Sequence, residues 1–212
     1  MSVLPPNTME PSDIAAQRPT VLIAGVGNVL LGDDGFGIEV ANRLMQQKEM
    51  PSWVKIIETG IGGMSLVQEL MYGYDALIIL DAYSRDGLPG QLYFLEPVLP
   101  DLSKLEPQEL RDYFADTHYA TPIRALSLLS HVATAPKILR ILGCEPAELD
   151  DMKIGLSPVV NDAVDKAVLM VNDLLRQYPE RGFGQVNEID RLQEEAQWCP
   201  QNQTSVSRTP TN

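Results

Sequence analysis

The chain has 212 residues and a formal charge of −13, from 29 Asp and Glu against 16 Lys and Arg, and 44% of it is hydrophobic. That length is ample to bury a core as one large domain or two small ones. The acidity argues against nucleic acid, whose binding rests on Lys and Arg against phosphate, and against anionic lipid, because the sequence has no polybasic cluster.

No apolar run approaches the roughly 20 residues of a bilayer-spanning helix. Residues 1–18 lack the basic and apolar regions of a secretory signal. The two cysteines, Cys144 and Cys199, are far apart and in no metal-type spacing. These features predict no membrane association and a reducing cytoplasm.

Residues 1–18 are polar, contain Pro5, Pro6 and Pro11, and are expected to form a flexible extension. Residues 21–26, Val-Leu-Ile-Ala-Gly-Val, are a continuous apolar run of strand length. Residues 38–47 carry Ile38, Val40, Ala41, Leu44 and Met45 at helical spacing. A second strand is predicted over 54–57, a helix over 64–71 with Leu66, Val67 and Leu70 inward, and a third, wholly apolar strand over 76–80. Residues 91–95 alternate more and belong nearer a sheet edge. Short helices are predicted over 108–114 and 122–132, a fifth strand over 137–142, and a long closing helix over 159–178. Beyond Tyr178-Pro179 come a charged stretch, 188–197, and a polar tail with little to bury. The expected organisation is an extension over 1–18, one folded domain over 19–179 and a disordered tail over 180–212.

Continuous apolar strands are buried on both faces and need helices on both sides. Strand–helix alternation therefore predicts an α/β three-layer sandwich around a twisted, mostly parallel five-stranded sheet. Ligands of such sheets sit beyond the carboxyl ends of the strands.

The first strand runs into Gly25-Val26-Gly27-Asn28-Val29-Leu30-Leu31-Gly32-Asp33-Asp34-Gly35-Phe36-Gly37, with five glycines in 13 residues. It departs from a dinucleotide fingerprint, because Leu30 occupies the third glycine position. Asp33 and Asp34 would also repel a pyrophosphate at the helix start. The loop suits a cation better, unless Asp33 or Asp34 merely caps the helix. Asp81 follows the third strand directly, at the same rim; its bland reading is a turn aspartate. The two histidines differ in setting: His118 falls in a predicted loop, and His131 late in a predicted helix, where a favourable dipole contact explains it. Two such acids and a histidine fit a borderline divalent ion such as zinc or nickel. Cys144 reads as a small buried residue rather than a nucleophile. Gly60-Ile61-Gly62-Gly63 is a second close-approach loop, either a peptide groove or a turn. Glu145, Glu148, Asp150 and Asp151 read as solvated surface. No Gly-x-Ser-x-Gly elbow supports a serine hydrolase.

The loop over 25–37 resembles the opening motif of the endopeptidases that mature nickel–iron hydrogenases. Three further blocks follow in family order: residues 74–82, Tyr-Asp-Ala-Leu-Ile-Ile-Leu-Asp-Ala; Asp116-Thr117-His118 with Pro122, Leu126, Pro136 and then Gly143-Cys144-Glu145-Pro146; and Ile154-Gly155-Leu156-Ser157-Pro158-Val159. The similarity covers about residues 20–178 and makes the folded domain a maturation-protease-like catalytic domain.

The resemblance implies an aspartic-type endopeptidase that removes the C-terminal peptide of the hydrogenase large-subunit precursor after nickel insertion, and so activates that enzyme. It implies that Asp34, Asp81 and His118 hold the metal in a cleft. The first acid is Glu in some members and the shorter Asp34 here. Spacing back from residues 143–146 selects His118 over His131. Nickel arrives with the substrate, and zinc or cadmium can take the same site. Asn28, Gly60, Gly62 and Gly63 are candidates for the substrate groove. The expected state is a cytoplasmic monomer. The overall acidity predicts an electronegative cleft that steers a cationic segment inward. Two other readings compete: a chaperone that holds the large subunit without cutting it, and a nucleotide-binding enzyme using the 25–37 loop.

Overall fold

The structure is a computed structural model and describes residues 20–60, 63–99, 102, 106, 108, 126–127, 135–149, 152–183 and 191–192. Of the helices expected over 108–114 and 122–132, only Gln108, Leu126 and Ser127 are described; His118 and His131 lie outside the described residues.

The apolar run over 21–26 forms β1 (Val21–Val26), buried at every position. A 3₁₀ turn (Gly32–Gly35) leads into α1 (Phe36–Met45), which begins two residues before the expected start. Then follow β2 (Val54–Gly60), α2 (Gly63–Leu70), β3 (Ala76–Ala82), β4 (Leu92–Pro97), β5 (Ile138–Cys144) and α3 (Pro158–Arg181). A two-residue β6 (Arg191–Leu192) pairs with the outer side of β4.

The strand order is β2-β1-β3-β5-β4-β6. Strands β2, β1, β3 and β5 are parallel, and β4 is antiparallel to β5. The less regular pattern of β4 thus marks the strand lying beyond the parallel block. The strand after α1 returns on one side of β1, and the strand after α2 on the other. That reversal opens a crevice at the carboxyl ends of β1 and β3, the topological switch point of open α/β sheets.

Alternating residues of the central strands feed two cores. Val21, Ile23, Ala76, Ile78 and Leu80 pack under α1 and α3, with Phe36, Val40, Leu44, Val164 and Val171. Leu22, Ala24, Leu77 and Ile79 face the other way, against Leu66, Val67 and Leu70 of α2 and against Leu126. Residues buried on both faces of a parallel sheet are the reason these strands read as unbroken apolar runs.

Strands β2 to β5 all run past their expected ends, β2 to Gly60 and β4 to Pro97. β3 continues through Asp81, which pairs with Gly143, and β5 continues to Cys144, which pairs with Ala82. Backbone pairing carries a strand past its last apolar residue. α3 also continues past Pro179, which hydropathy marked as its end. Trp53 stacks on Tyr178 at 5.6 Å, and Tyr178 packs on Phe183 at 4.6 Å. This aromatic pile secures the last turn until Gly182 closes it with an N–H bond to the Tyr178 carbonyl. Across the same face, Arg43 of α1 pairs with Glu39 and reaches Asp165 and Asn161 of α3.

Candidate functional site

The glycines of the first loop permit close approach. At Gly27 φ is +132°, and a Cβ there would stand 1.8 Å from the Asp34 carbonyl oxygen. A Cβ on Gly37 would meet the Leu80 and Val26 carbonyl oxygens at 2.0 and 2.4 Å. Only a residue without a side chain lets α1 start directly against the ends of β1 and β3. Asp34, three residues before Gly37, is thereby brought to the switch point where β3 delivers Asp81.

The two carboxylates interact. Burial raises the Asp34 carboxyl above its ordinary range, against a lowering bond from the Asn28 N–H, which donates to Asp34 Oδ2 at 2.7 Å. Burial and then the charge of Asp34 push Asp81 up to about 8, against a lowering bond from the Ala82 N–H. A carboxyl whose ionised form is disfavoured by burial and by a neighbouring acid is a candidate functional group. Among the described residues, no group of three or more His, Cys, Asp or Glu is placed to hold a metal ion. The third expected ligand, His118, lies outside the described residues.

The neighbouring loops close around this pair. The Asn28 side chain accepts the Leu30 N–H at 3.0 Å, so Asn28 shapes the loop while its own N–H serves Asp34. Gly60 ends β2 at φ +57°, and its carbonyl accepts the Gly27 N–H at 3.3 Å. The second glycine loop is thus tied to the first. Gly63 opens α2, and Gly62 lies outside the described residues.

Two acids behave differently from their sequence reading. Neither Asp33 nor Asp34 caps α1, whose N-cap is Gly35 with no side-chain cap bond. Asp33 is instead 1% exposed and serves another segment. Its Oδ2 accepts the Ala147 N–H at 2.8 Å, the Glu148 N–H at 3.3 Å and the Ser157 Oγ at 2.9 Å, and its Oδ1 accepts the Ser157 N–H at 2.6 Å. Ser157 is the N-cap of α3.

Glu145 is not solvated surface: it is buried at 4% exposure. It accepts bonds from Ser84 Oγ at 3.0 Å, the Arg85 N–H at 2.8 Å and Tyr93 Oη at 2.7 Å. Burial alone would raise its carboxyl; the bonds from Tyr93, Arg85, Gly87 and Ser84 outweigh that and hold it below the usual range. The signal for both was position. Glu145 directly follows β5 and Asp33 lies in the loop after β1, both on the side of the sheet where loops converge and backbone N–H groups need acceptors. Cys144 is buried as expected, and burial, with the charges of Asp33 and Glu145, pushes its thiol up to about 12. A thiol held neutral in this way is no nucleophile at neutral pH.

A phosphate ligand fits this loop poorly, with one aspartate buried behind it and another at its mouth. The rim is apolar: Val29 and Leu30 are 51% and 49% exposed, and Met152 and Ile154 are 84% and 85% exposed. The Lys153 N–H donates to the Leu30 carbonyl at 3.0 Å, which joins the two segments side by side. Exposed apolar surface at the mouth of a polar cleft is typical of sites that receive another protein.

The fold and the site define an α/β protein with an acid pair at the switch point of its sheet and exposed apolar residues beside it. The family model described as HycI, hydrogenase maturation protease, matches residues 38–174. The Hydrogenase 2 maturation protease of Escherichia coli K12 is 34% identical over 161 residues, covering 74% of this chain and 91% of that protein. The hydrogenase expression/formation protein HupD of Thiocapsa roseopersicina is 28% identical over 160 residues, covering 76% and 69%. The solved structure of the hydrogenase maturating endopeptidase HybD from E. coli aligns with a TM-score of 0.60 at 29% identity, covering 74% of this chain and 92% of that one. A hydrogenase maturation protease HycI from Thermococcus kodakarensis, at 21% identity, shares the fold with a TM-score of 0.55 and covers 74% and 92%. The chain belongs to the hydrogenase maturation protease family and is a peptidase of that kind. Among the described residues no helix is long and apolar enough to cross a membrane.

Proposed function

We propose that this protease removes the C-terminal peptide from the precursor of the nickel–iron hydrogenase large subunit once nickel is in place. In this reading Asp34, Asp81 and His118 receive the nickel-bearing segment of the substrate. The observation that carries it is the placement of Asp34, after β1, and Asp81, at the end of β3, on the carboxyl side of adjacent strands. Burial and the neighbouring Asp34 disfavour the charged form of Asp81, and a cationic segment offsets that cost. Carboxylate and imidazole together suit nickel, and also zinc or cadmium. Nickel carried by the substrate supplies Lewis acidity beside the bond to be cut. The acids and the histidine anchor that segment, Asn28 holds Asp34 in place by its N–H bond, and Asn28, Gly60, Gly62 and Gly63 are the candidates for receiving the departing peptide. The exposed Val29, Leu30, Met152 and Ile154 support a folded protein substrate rather than a small molecule. The protease acts as a cytoplasmic monomer, and its acidity steers the cationic segment inward.

The test is to incubate the chain with nickel-loaded precursor and follow the substrate mass. Loss of a C-terminal peptide is expected, and Asp34→Ala, Asp81→Ala and His118→Ala should each abolish it without unfolding the protein. An intact precursor that co-purifies with the chain would instead establish a non-cleaving chaperone. Processing that survives His118→Ala but not His131→Ala would overturn the histidine assignment.

A further inference from the structure

The tandem aspartates divide their work. We infer that Asp33 is a positioning residue: its buried carboxylate locks the turn that aims Asp34 into the cleft. The inference rests on the reading of Asp34 as a site residue.

Gly32–Gly35 is a 3₁₀ turn, with three residues per turn. Consecutive side chains in such a turn diverge by about 120°, so Asp33 and Asp34 face different surroundings. Asp34 takes the Asn28 N–H, and its charge acts on Asp81. Asp33 turns into the protein, where its four acceptor bonds reach two stretches of chain: the backbone of 147–148, just after β5, and Ser157, at the start of α3. Strand β5 pairs with β3, and α3 packs in the main core, so the carboxylate is anchored to the most rigid parts of the fold. The Gly32 N–H adds a bond to the Lys153 carbonyl at 2.7 Å.

Rotation of the turn about its axis would redirect Asp34, and it would have to break the Asp33 bonds to do so. The N-terminus of α3 favours a negative charge there, which makes this anchor charge-assisted. The same carboxylate fixes the segment carrying Met152 and Ile154 against the loop carrying Val29 and Leu30. It therefore sets the acid and the apolar rim as one rigid mouth.

The experiment compares Asp33→Asn, Asp34→Ala and, as a control for stability alone, Leu175→Ala in the core of α3. The full chain is used, with folding checked by circular dichroism. Cleavage of nickel-loaded precursor gives kcat and KM, and the amide resonance of Asn28 reports its bond to Asp34. Folded Asp33→Asn is expected to lose about 100-fold in kcat, as a displacement near 1 Å does, with KM changed less than about threefold. Its Asn28 amide should move upfield and exchange faster. Leu175→Ala should lower the melting temperature and leave kcat and the Asn28 amide alone. Wild-type kcat and an unmoved Asn28 amide in Asp33→Asn, with Asp34→Ala inactive, would overturn this inference alone. Full activity in Asp34→Ala would overturn the acid-pair reading, and the role of Asp33 with it.

Discussion

Replacing Gly37 with Ala tests whether the site depends on the contact between α1 and the strand ends. The added Cβ would stand 2.0 Å from the Leu80 carbonyl oxygen and 2.4 Å from that of Val26. Both are backbone atoms of strands in the middle of the sheet, so neither can yield as a side-chain tip would. Ordinary contact needs about 3.5 Å, so α1 must retreat by roughly 1–1.5 Å. Phe36, Val40, Ala41 and Leu44 on its inner face are all 0% exposed, and a gap of that size forfeits much of their contact energy. The expected cost is about 3 kcal/mol, at the upper end for overpacking. That corresponds to a fall of about 6–12 °C in melting temperature for a domain of this size. Because Asp34 lies three residues before Gly37, it moves with the helix, and kcat on the nickel-loaded precursor should drop about 100-fold at a temperature where the variant is folded. Urea unfolding measures the first effect and the processing assay the second. A wild-type urea midpoint together with full kcat would refute the close-packing argument.

Two further outcomes follow from the buried acids. Asp81→Asn removes a carboxyl whose ionised form burial and Asp34 disfavour in the folded state, so the metal-free protein at pH 7 should gain about 0.5–2 kcal/mol while losing processing, a trade expected of a strained site; a lowered melting temperature without metal would contradict it. The Glu145 carboxyl is held below its ordinary range, so its stabilisation is complete above the unfolded carboxylate pKa and disappears as pH falls through its lower folded value. Glu145→Gln should therefore cost about 1–3 kcal/mol at pH 7 and flatten the decline of melting temperature between roughly pH 5 and 3; parallel melting profiles for the two proteins would count against it.

Sequence alone determined the layers of this protein. The runs over 21–26 and 76–80 contain no charged or polar side chain on either face, which points to central parallel strands with helices on both sides. It also placed Asp81 at the sheet's rim, because an acid that directly follows such an apolar run lies at the strand's carboxyl end. The resemblance of four ordered blocks pointed to the family that the comparisons bear out.

Only the tertiary structure decided which acid does what. Asp33 and Asp34 are neighbours of identical chemistry, and no periodicity separates them; the turn sends one into four hydrogen bonds and the other to Asp81. Glu145 reads with Glu148, Asp150 and Asp151 as solvated surface, yet the loop after β3 folds back over it and supplies donors. The crossing from β2 over β1 to β3 joins residues 47 positions apart, Asp34 and Asp81, and strand order is a property of packing rather than of any local run. Hydropathy records what each residue avoids, whereas the partner a polar group meets depends on which distant backbone the fold brings beside it.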